Sequence, residues 1–191
     1  MMALQGAFFR PNLLFLPAPA DESAAEDMRV LLVRARENAV GAIVYATSGD
    51  GSTRKRERVR VLIAPNPRFQ VEDAFAKGNL NLSLLTAYRL GRVWRTEVEL
   101  MMAVSKQQDV ELASAMLHEL VDLVRFPEES TRCTVVVGGL EEACSHGLRR
   151  SITIFGMPNN DPDVALMEKF VGLAGSTCLF VRDSGAESAR A

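Results

Sequence analysis

The sequence predicts an α/β fold: a layered, mostly parallel sheet with helices on both of its faces. From Asn79 onwards, segments with a strand pattern alternate with segments of helical periodicity, and the connections between them are short. The strand segments are apolar on both faces, as parallel strands are when helices cover them. The chain has 191 residues, 48% of them hydrophobic, which is enough for one domain with a well-formed core.

The first part of the chain has a strand–helix–strand pattern. The apolar run from Asn12 to Pro17 contains no helical periodicity and is bounded by prolines, so it predicts a buried strand. A helix follows, capped by Asp21 or Ser23, and its apolar residues recur at helical spacing until Asn38 and Gly41.

Two further strands are predicted over residues 42–46 and 59–65, joined by an exposed loop over residues 49–58. The loop contains the basic run RKRER. Such a run is either a solvated loop or a contact for acidic lipid headgroups, because clustered basic residues are attracted to an anionic membrane surface. The segment that follows, with two prolines near its start, is expected to be irregular.

The remaining chain predicts the main alternating part of the sheet. Its elements are, in order, a helix capped by Asn79, a strand over 97–104, a helix over 109–126, a strand from Thr131, a short helix from Leu140, a strand from Ser151, a helix capped by Asp161 or Asp163, and a strand from Thr177. We therefore expect one domain over residues 1–191, made of a first part (1–65), an irregular connection (66–78), the main part (79–183) and a tail (184–191).

Composition narrows the classes of function. The net charge is -2, from 22 basic and 24 acidic residues. The molecule as a whole is therefore not attracted electrostatically to nucleic acid. No run approaches the roughly 18 apolar residues of a membrane-spanning helix, and no secretory leader is recognisable. Cys133, Cys144 and Cys178 lack CxxC spacing and are expected to be reduced thiols in the cytosol.

No residue pattern predicts an enzyme, a metal site or a cofactor. His118 and His146 lie in helical contexts, and neither has the neighbouring ligands that a metal site needs. No nucleophile elbow or triad motif is present. A hydrolase or transferase whose site is assembled from distant residues is a third and weaker alternative.

Three residues form the candidate ligand site: Gly156, Gly175 and Ser176. If all three lie at the carboxyl edge of the parallel sheet, they could contact a bound nucleotide. The competing interpretation is that Gly175 ends a helix and Ser176 begins the last strand. Pro158, which has no N–H, and the nearby aspartates argue against a phosphate site.

Four segments resemble, in the same order, the cytosolic C-terminal region of the cation-chloride cotransporter family, and more closely its prokaryotic amino acid permease-like members. The segments are FFRPNLLFLP, NLNLSLLTAYRLGRVW, SITIFGMP and TCLFVRDSGAESARA. The resemblance implies an α/β fold related to universal stress proteins. It also implies a cytosolic position after a transmembrane permease core, and a part in dimerisation and transport regulation. The chain itself is expected to carry no such core.

The relation to universal stress proteins also bears on the candidate site. Nucleotide-binding members of that fold use a G-x-x-G…G-S pattern before the last strand. Gly156 and the pair Gly175 and Ser176 match its ends, whereas Asn159 stands where the second glycine is expected.

The resemblance therefore implies a non-enzymatic regulatory or assembly domain of a transporter, at the cytosolic face of the membrane. Its expected partners are the permease core and a second copy of the chain. The alternative is a free-standing nucleotide-binding sensor of universal stress type.

Overall fold

A computed structural model describes residues 12–47, 58–77, 79–146, 151–157 and 163–190. The strands are β1 (Leu13–Pro17), β2 (Gly41–Ala46), β3 (Arg58–Ile63), β4 (Glu97–Val104), β5 (Thr131–Val137), β6 (Ser151–Gly156) and β7 (Thr177–Arg182). The helices are α1 (Glu22–Glu37), α2 (Val71–Lys77), α3 (Leu80–Trp94), α4 (Val110–Leu123), α5 (Leu140–Ser145) and α6 (Val164–Ala174). Across these ranges, every helix is too short or too polar to serve as a transmembrane span.

The described strands form one sheet in the order β1-β2-β7-β6-β3-β4-β5. Strands β3, β4, β5 and β6 are parallel to their neighbours, β7 is parallel to β6, and β1 is parallel to β2. The β2 and β7 strands are antiparallel, with Val44 opposite Phe180. The predicted mostly parallel α/β sheet is confirmed.

Helices cover both faces of the sheet, as predicted, because the strands carry apolar side chains on both faces. On one face, α2, α3 and α4 pack on a core that includes Leu84, Leu100 and Leu117. On the other face, α1, α5 and α6 pack on a second core that includes Leu32 and Met101.

Aspartate side chains cap the N-termini of α1 and α6. Asp21 caps α1, since its Oδ1 accepts a 2.9 Å hydrogen bond from the N–H of Ala24. Asp163 caps α6 in the same way, and its Oδ1 accepts a 3.0 Å hydrogen bond from the N–H of Leu166. In both helices the carboxylate satisfies an N–H group that the first turn leaves unpaired.

Two local predictions were wrong. The segment expected to be an irregular connection contains the helix α2, which forms because Val71 and Ala74 are buried against the core. Arg58 was assigned to the exposed basic loop, but it begins β3 and pairs with Glu97 and Glu99 at 2.6 and 3.3 Å. The rest of that basic run lies outside the described residues.

Asn79 was predicted to cap α3, and this was also wrong. It occupies the capping position, but its backbone is left-handed, with a φ of 50°, and its side chain makes no capping hydrogen bond. The Asn79 side chain instead contacts two other elements, which are described below.

Candidate functional site

A pocket of about 380 Å³ opens at the carboxyl ends of β3 and β6. These two strands are neighbours in the sheet, but the chain continues from β3 to β4 on one side and from β6 to β7 on the other. Ligands of open α/β sheets bind at such a point, where the strand order reverses. Ile63 and Gly156, the last residues of the two strands, both line the pocket.

Three phenylalanine rings form one wall of the pocket. Phe155 stacks on Phe170 and on Phe180, with a distance of 5.2 Å between ring centroids in each pair. Phe155 and Phe180 are paired across β6 and β7, so the sheet register places their rings side by side. Phe170 reaches them from α6, and all three rings line the pocket. The wall is therefore apolar and aromatic.

Two polar side chains in the lining are already used within the protein. Asn66 accepts hydrogen bonds from the N–H groups of Arg68 and Gln70 and donates one to the carbonyl of Gln70. Ser83 donates a 2.8 Å hydrogen bond to the carbonyl of Asn79. A ligand would have to replace these internal hydrogen bonds in order to bind either side chain.

Among the described residues, two charged side chains line the pocket, Asp73 from α2 and Asp163 at the start of α6. The Asp163 carboxylate caps its own helix. Within the described part of the chain, the half-buried Asp73 carboxylate has no hydrogen-bond or ion-pair partner. None of the described residues that line the pocket is a lysine, an arginine or a histidine.

The structure does not bring the three predicted site residues together. Gly156 ends β6 and lines the pocket, opposite Val181 of the parallel strand β7. Gly175 and Ser176 precede β7 and so lie at the amino edge of the sheet. Ser176 comes five positions before Val181, a separation of about 16 Å along a strand. The expectation that all three share the carboxyl edge was wrong.

Gly175 has a structural role at the amino edge, where Ser176 is buried. Gly175 is left-handed, with a φ of 54°, and its N–H donates a 3.0 Å hydrogen bond to the carbonyl of Val171 at the end of α6. This is the helix-terminating role that glycine fills without steric cost. Ser176 is 4% exposed.

A polar junction beside the pocket was missed by the sequence analysis. Asn79 donates through Nδ2 to the carbonyl of Met157, which lines the pocket, and accepts a 3.0 Å hydrogen bond from the N–H of Asp183. The Asp183 carboxylate accepts from the N–H groups of Asn81 and Leu82, at 3.1 and 3.0 Å. These contacts join the ends of β6 and β7 to the start of α3.

Burial is the largest influence on the pKa of Asp183, and it raises that pKa above the usual value. The hydrogen bonds from Leu82 and Asn81 act in the opposite direction, while the nearby carboxylate of Glu187 raises the pKa further. The net direction is upward.

A buried ion-pair network lies across β3, β4 and β5, away from the pocket. Arg60 and Glu99 are 2% and 3% exposed, and Nε of Arg60 lies 2.9 Å from a carboxylate oxygen of Glu99. Burial alone would raise the pKa of Glu99. Its hydrogen bonds with Arg60 and Thr134, together with the charges of Arg60 and Arg58, outweigh burial and leave the pKa below the usual value.

The cysteines have the properties expected of reduced core thiols. All three are free, and Cys144 and Cys178 are buried. Burial raises the pKa of Cys144 to about 11 and that of Cys178 to about 12, which keeps both as unreactive thiols at neutral pH. The described ranges contain no group of three metal-ligating side chains that could hold an ion.

Comparison with known families defines the class of protein. A family profile described as "Prokaryotic cation-chloride cotransporter, C-terminal domain, 2nd" matches residues 55–190. The corresponding profile for the first C-terminal domain matches residues 1–50. The chain therefore belongs to the family of prokaryotic cation-chloride cotransporter C-terminal domains, and the resemblance noted in the sequence is confirmed. A search of curated proteins gave no match.

Among solved structures, the chain is similar to the cytoplasmic domain of a prokaryotic cation chloride cotransporter. The two are 27% identical with a TM-score of 0.83, over 98% of this chain and 70% of the other. Weaker matches, each covering 91% of this chain and 64% of the other, are two proteins from Pseudomonas aeruginosa. One has no known function (13% identity, TM-score 0.44) and the other is a candidate universal stress protein (12%, 0.48).

Proposed function

We propose that this chain is a non-enzymatic cytoplasmic domain that regulates and helps to assemble a cation-chloride cotransporter or a related amino acid permease. The observation that carries the proposal is the match of both C-terminal domain profiles, in order, to residues 1–50 and 55–190. The solved relative with a TM-score of 0.83 is a cytoplasmic domain, which supports the same location here.

The partner required by this proposal is a transmembrane permease core at the cytoplasmic face of the membrane. The test is co-purification of the tagged chain from membranes of its native cell, followed by ion flux measurements on the partner with and without the domain. Recovery of a permease whose flux changes supports the proposal. Recovery of no membrane permease would count against it.

The proposed assembly role includes a homodimer. Support comes from β1, which is the first strand in the described sheet and carries Phe15 at 59% exposure beside the ring of Tyr45. An edge strand with exposed apolar side chains is a surface suited to a second copy. Light scattering should show a dimer that Phe15→Asp weakens and that Val93→Asp, on an exposed part of α3, leaves intact. A monomer at high concentration would contradict the dimer.

Membrane contact through the basic run RKRER is a separate part of the proposal. The chain should co-sediment with vesicles containing anionic phosphatidylglycerol and not with neutral phosphatidylcholine vesicles. Replacing residues 54–56 with serine should abolish this difference. A control that replaces the exposed Arg68, Arg89 and Lys106 removes the same charge and should retain it. Equal loss in both variants would indicate nonspecific attraction.

A nucleotide-binding sensor of universal stress type is the second candidate function. The observation that favours it is the pocket at the carboxyl edge, which Gly156 lines. Calorimetry with ATP, ADP, AMP and cyclic nucleotides at millimolar concentration tests it. Binding that is lost when Ala64, which is exposed and lines the pocket, is changed to Phe would support the sensor. No heat from any nucleotide would eliminate it.

A further inference from the structure

We propose that the pocket at the carboxyl ends of β3 and β6 binds a small organic cation: an apolar, preferably aromatic, body that carries a protonated amine. This inference goes beyond the proposed regulatory role and does not depend on it. It also differs from the nucleotide alternative, because the same pocket would then select for positive charge and against phosphate.

The size and position of the pocket suit a small molecule. Its volume of about 380 Å³ falls within the range of small-molecule sites, roughly 300 to 1,000 Å³. Its place at the reversal of strand order is where open α/β sheets present ligand sites. Both features follow from the backbone connectivity.

The lining favours an apolar body. Phe155, Phe170 and Phe180 form a continuous aromatic wall, and Met157 and Met167 add flexible thioether side chains to the lining. Aromatic side chains offer a large apolar contact area to such a body. Methionine adapts its shape to different ligands.

The charges select the sign of the ligand. Asp73 and Asp163 place two carboxylates in the lining, and the described residues of the lining include no basic side chain. The pocket also meets the N-terminus of α6, which would attract an anion if it were free. The N-terminus of α6 already has an anionic partner, because the Asp163 carboxylate accepts a hydrogen bond from the N–H of Leu166. A phosphate would meet a carboxylate at the point where other sheets offer N–H groups.

The carboxylates of Asp73 and Asp163 differ in how free they are to contact a ligand. The Asp163 carboxylate uses one oxygen to cap α6. The Asp73 carboxylate has no partner among the described residues and lies on the short helix α2. We therefore assign Asp73 as the main contact for the amine and Asp163 as a source of negative potential.

Calorimetry on the 191-residue chain with three probes of the same ring tests the proposal: phenethylamine, 2-phenylethanol and phenylacetate. The amine should bind about two to five times more tightly than the alcohol, as expected for one partly exposed charge contact. The carboxylate should bind more weakly than both. ATP should give no heat.

Variants identify the site. Asp73→Asn should remove most of the preference for the amine over the alcohol, and Asp163→Asn should reduce it less while still capping α6. Glu72→Gln is the matched control, because it removes the same charge from an exposed position on α2 that does not line the pocket. Ala64→Phe should block all probes. Thermal unfolding shows whether each variant is folded.

Three results would overturn the proposal: no binding of the amine at millimolar concentration, phenylacetate binding as tightly as the amine, or Glu72→Gln lowering the amine preference as much as Asp73→Asn. None of these bears on co-purification with a permease, so the failure of this inference is distinguishable from the failure of the proposed function. ATP binding that Ala64→Phe removes would favour the nucleotide alternative instead.

Discussion

The carboxylate of Asp183 accepts a 3.0 Å hydrogen bond from the backbone N–H of Leu82, although the two residues are 101 positions apart in the chain. A second bond, from the N–H of Asn81, is 3.1 Å long. The first turn of α3 is therefore capped by a side chain from the end of β7, and not by the residue that precedes the helix. One carboxylate connects the start of a helix to the end of the sheet.

Asp183→Ala should lower the free energy of unfolding by about 1 to 3 kcal/mol, because it removes a cap and leaves partly buried N–H groups unpaired. Urea unfolding measures the change. Asp21→Ala removes the exposed cap of α1 and is the matched control, with an expected loss of about 1 kcal/mol. A loss at Asp183 no larger than that at Asp21 would contradict the linking role.

Glu187→Gln should lower the pKa of Asp183, because the Glu187 carboxylate raises it. A folded pKa above the unfolded value means that the contribution of Asp183 to stability is complete at low pH and is lost as pH rises through the folded pKa. The loss should therefore begin near the usual value of 3.8. In Glu187→Gln, this loss of stability with rising pH should be smaller than in the original protein. Carboxyl carbon NMR titration measures the pKa, and an unchanged value would contradict the coupling.

Arg60→Leu should destabilise the protein by about 3 to 5 kcal/mol, because it leaves the buried Glu99 carboxylate without its main partner. The double variant R60L/E99L should be less destabilised than the sum of the two single variants. Denaturant unfolding of the four proteins gives the coupling energy. Lys169→Ala, which breaks an exposed pair with Glu141, should change stability by less than about 1 kcal/mol.

The buried pair of Arg60 and Glu99 makes stability depend on pH with a sign opposite to that expected for Asp183. The pKa of Glu99 is lowered in the folded protein, so its contribution is present above the ordinary value of 4.5 and is lost as pH falls through the folded pKa. In E99L, this acid-induced loss of stability should be reduced. An acid profile identical to that of the original protein would show that Glu99 ionisation does not contribute.

Gly91→Ala and Gly172→Ala should have opposite effects on stability. A Cβ at Gly91 would lie 2.7 Å from a methyl carbon of Val98, so α3 would be pushed from β4 at a cost of about 1 to 3 kcal/mol. A Cβ at Gly172 meets nothing within 4 Å, and alanine should stabilise α6 by about 0.5 to 1 kcal/mol. Equal signs in thermal unfolding would contradict the packing argument.

Gly175→Ala should cost about 1 kcal/mol, because alanine is strained at the left-handed φ of 54°. It should leave amine binding at the pocket unchanged, since Gly175 lies at the opposite edge of the sheet. Unfolding and calorimetry on the same sample separate the two effects. A large loss of binding in a fully folded variant would show that the two edges are coupled.

Patterns confined to one element predicted the fold well. β4 runs over Glu97–Val104, as predicted, because an eight-residue, largely apolar segment is typical of a strand covered on both faces. The capping of α6 by Asp163 was one of two sequence alternatives, and the terminating role of Gly175 followed from its place after a helix. These features depend on neighbours within a few residues.

Features that depend on distant residues were not predictable in the same way. α2 has only seven residues, and its formation depends on burial of Val71 and Ala74 in a core made by other elements. The side chain of Asn79 is directed to Met157 and Asp183 by contacts made far along the chain. The site was misplaced because β6 and β7 are parallel, so residues before β7 and after β6 lie at opposite edges.

The two family profiles match residues 1–50 and residues 55–190. The antiparallel pairing of β2 with β7 connects these two segments within the sheet. It places Ala42 opposite Arg182 and Ala46 opposite Cys178, so that the strand contributed by residues 1–50 covers an apolar strand of residues 55–190. A fragment lacking the first segment would expose β7 as an open edge, which is a template for non-native strand addition and aggregation. In the described sheet, β2 of the first segment therefore covers the edge of β7 that such a fragment would leave open.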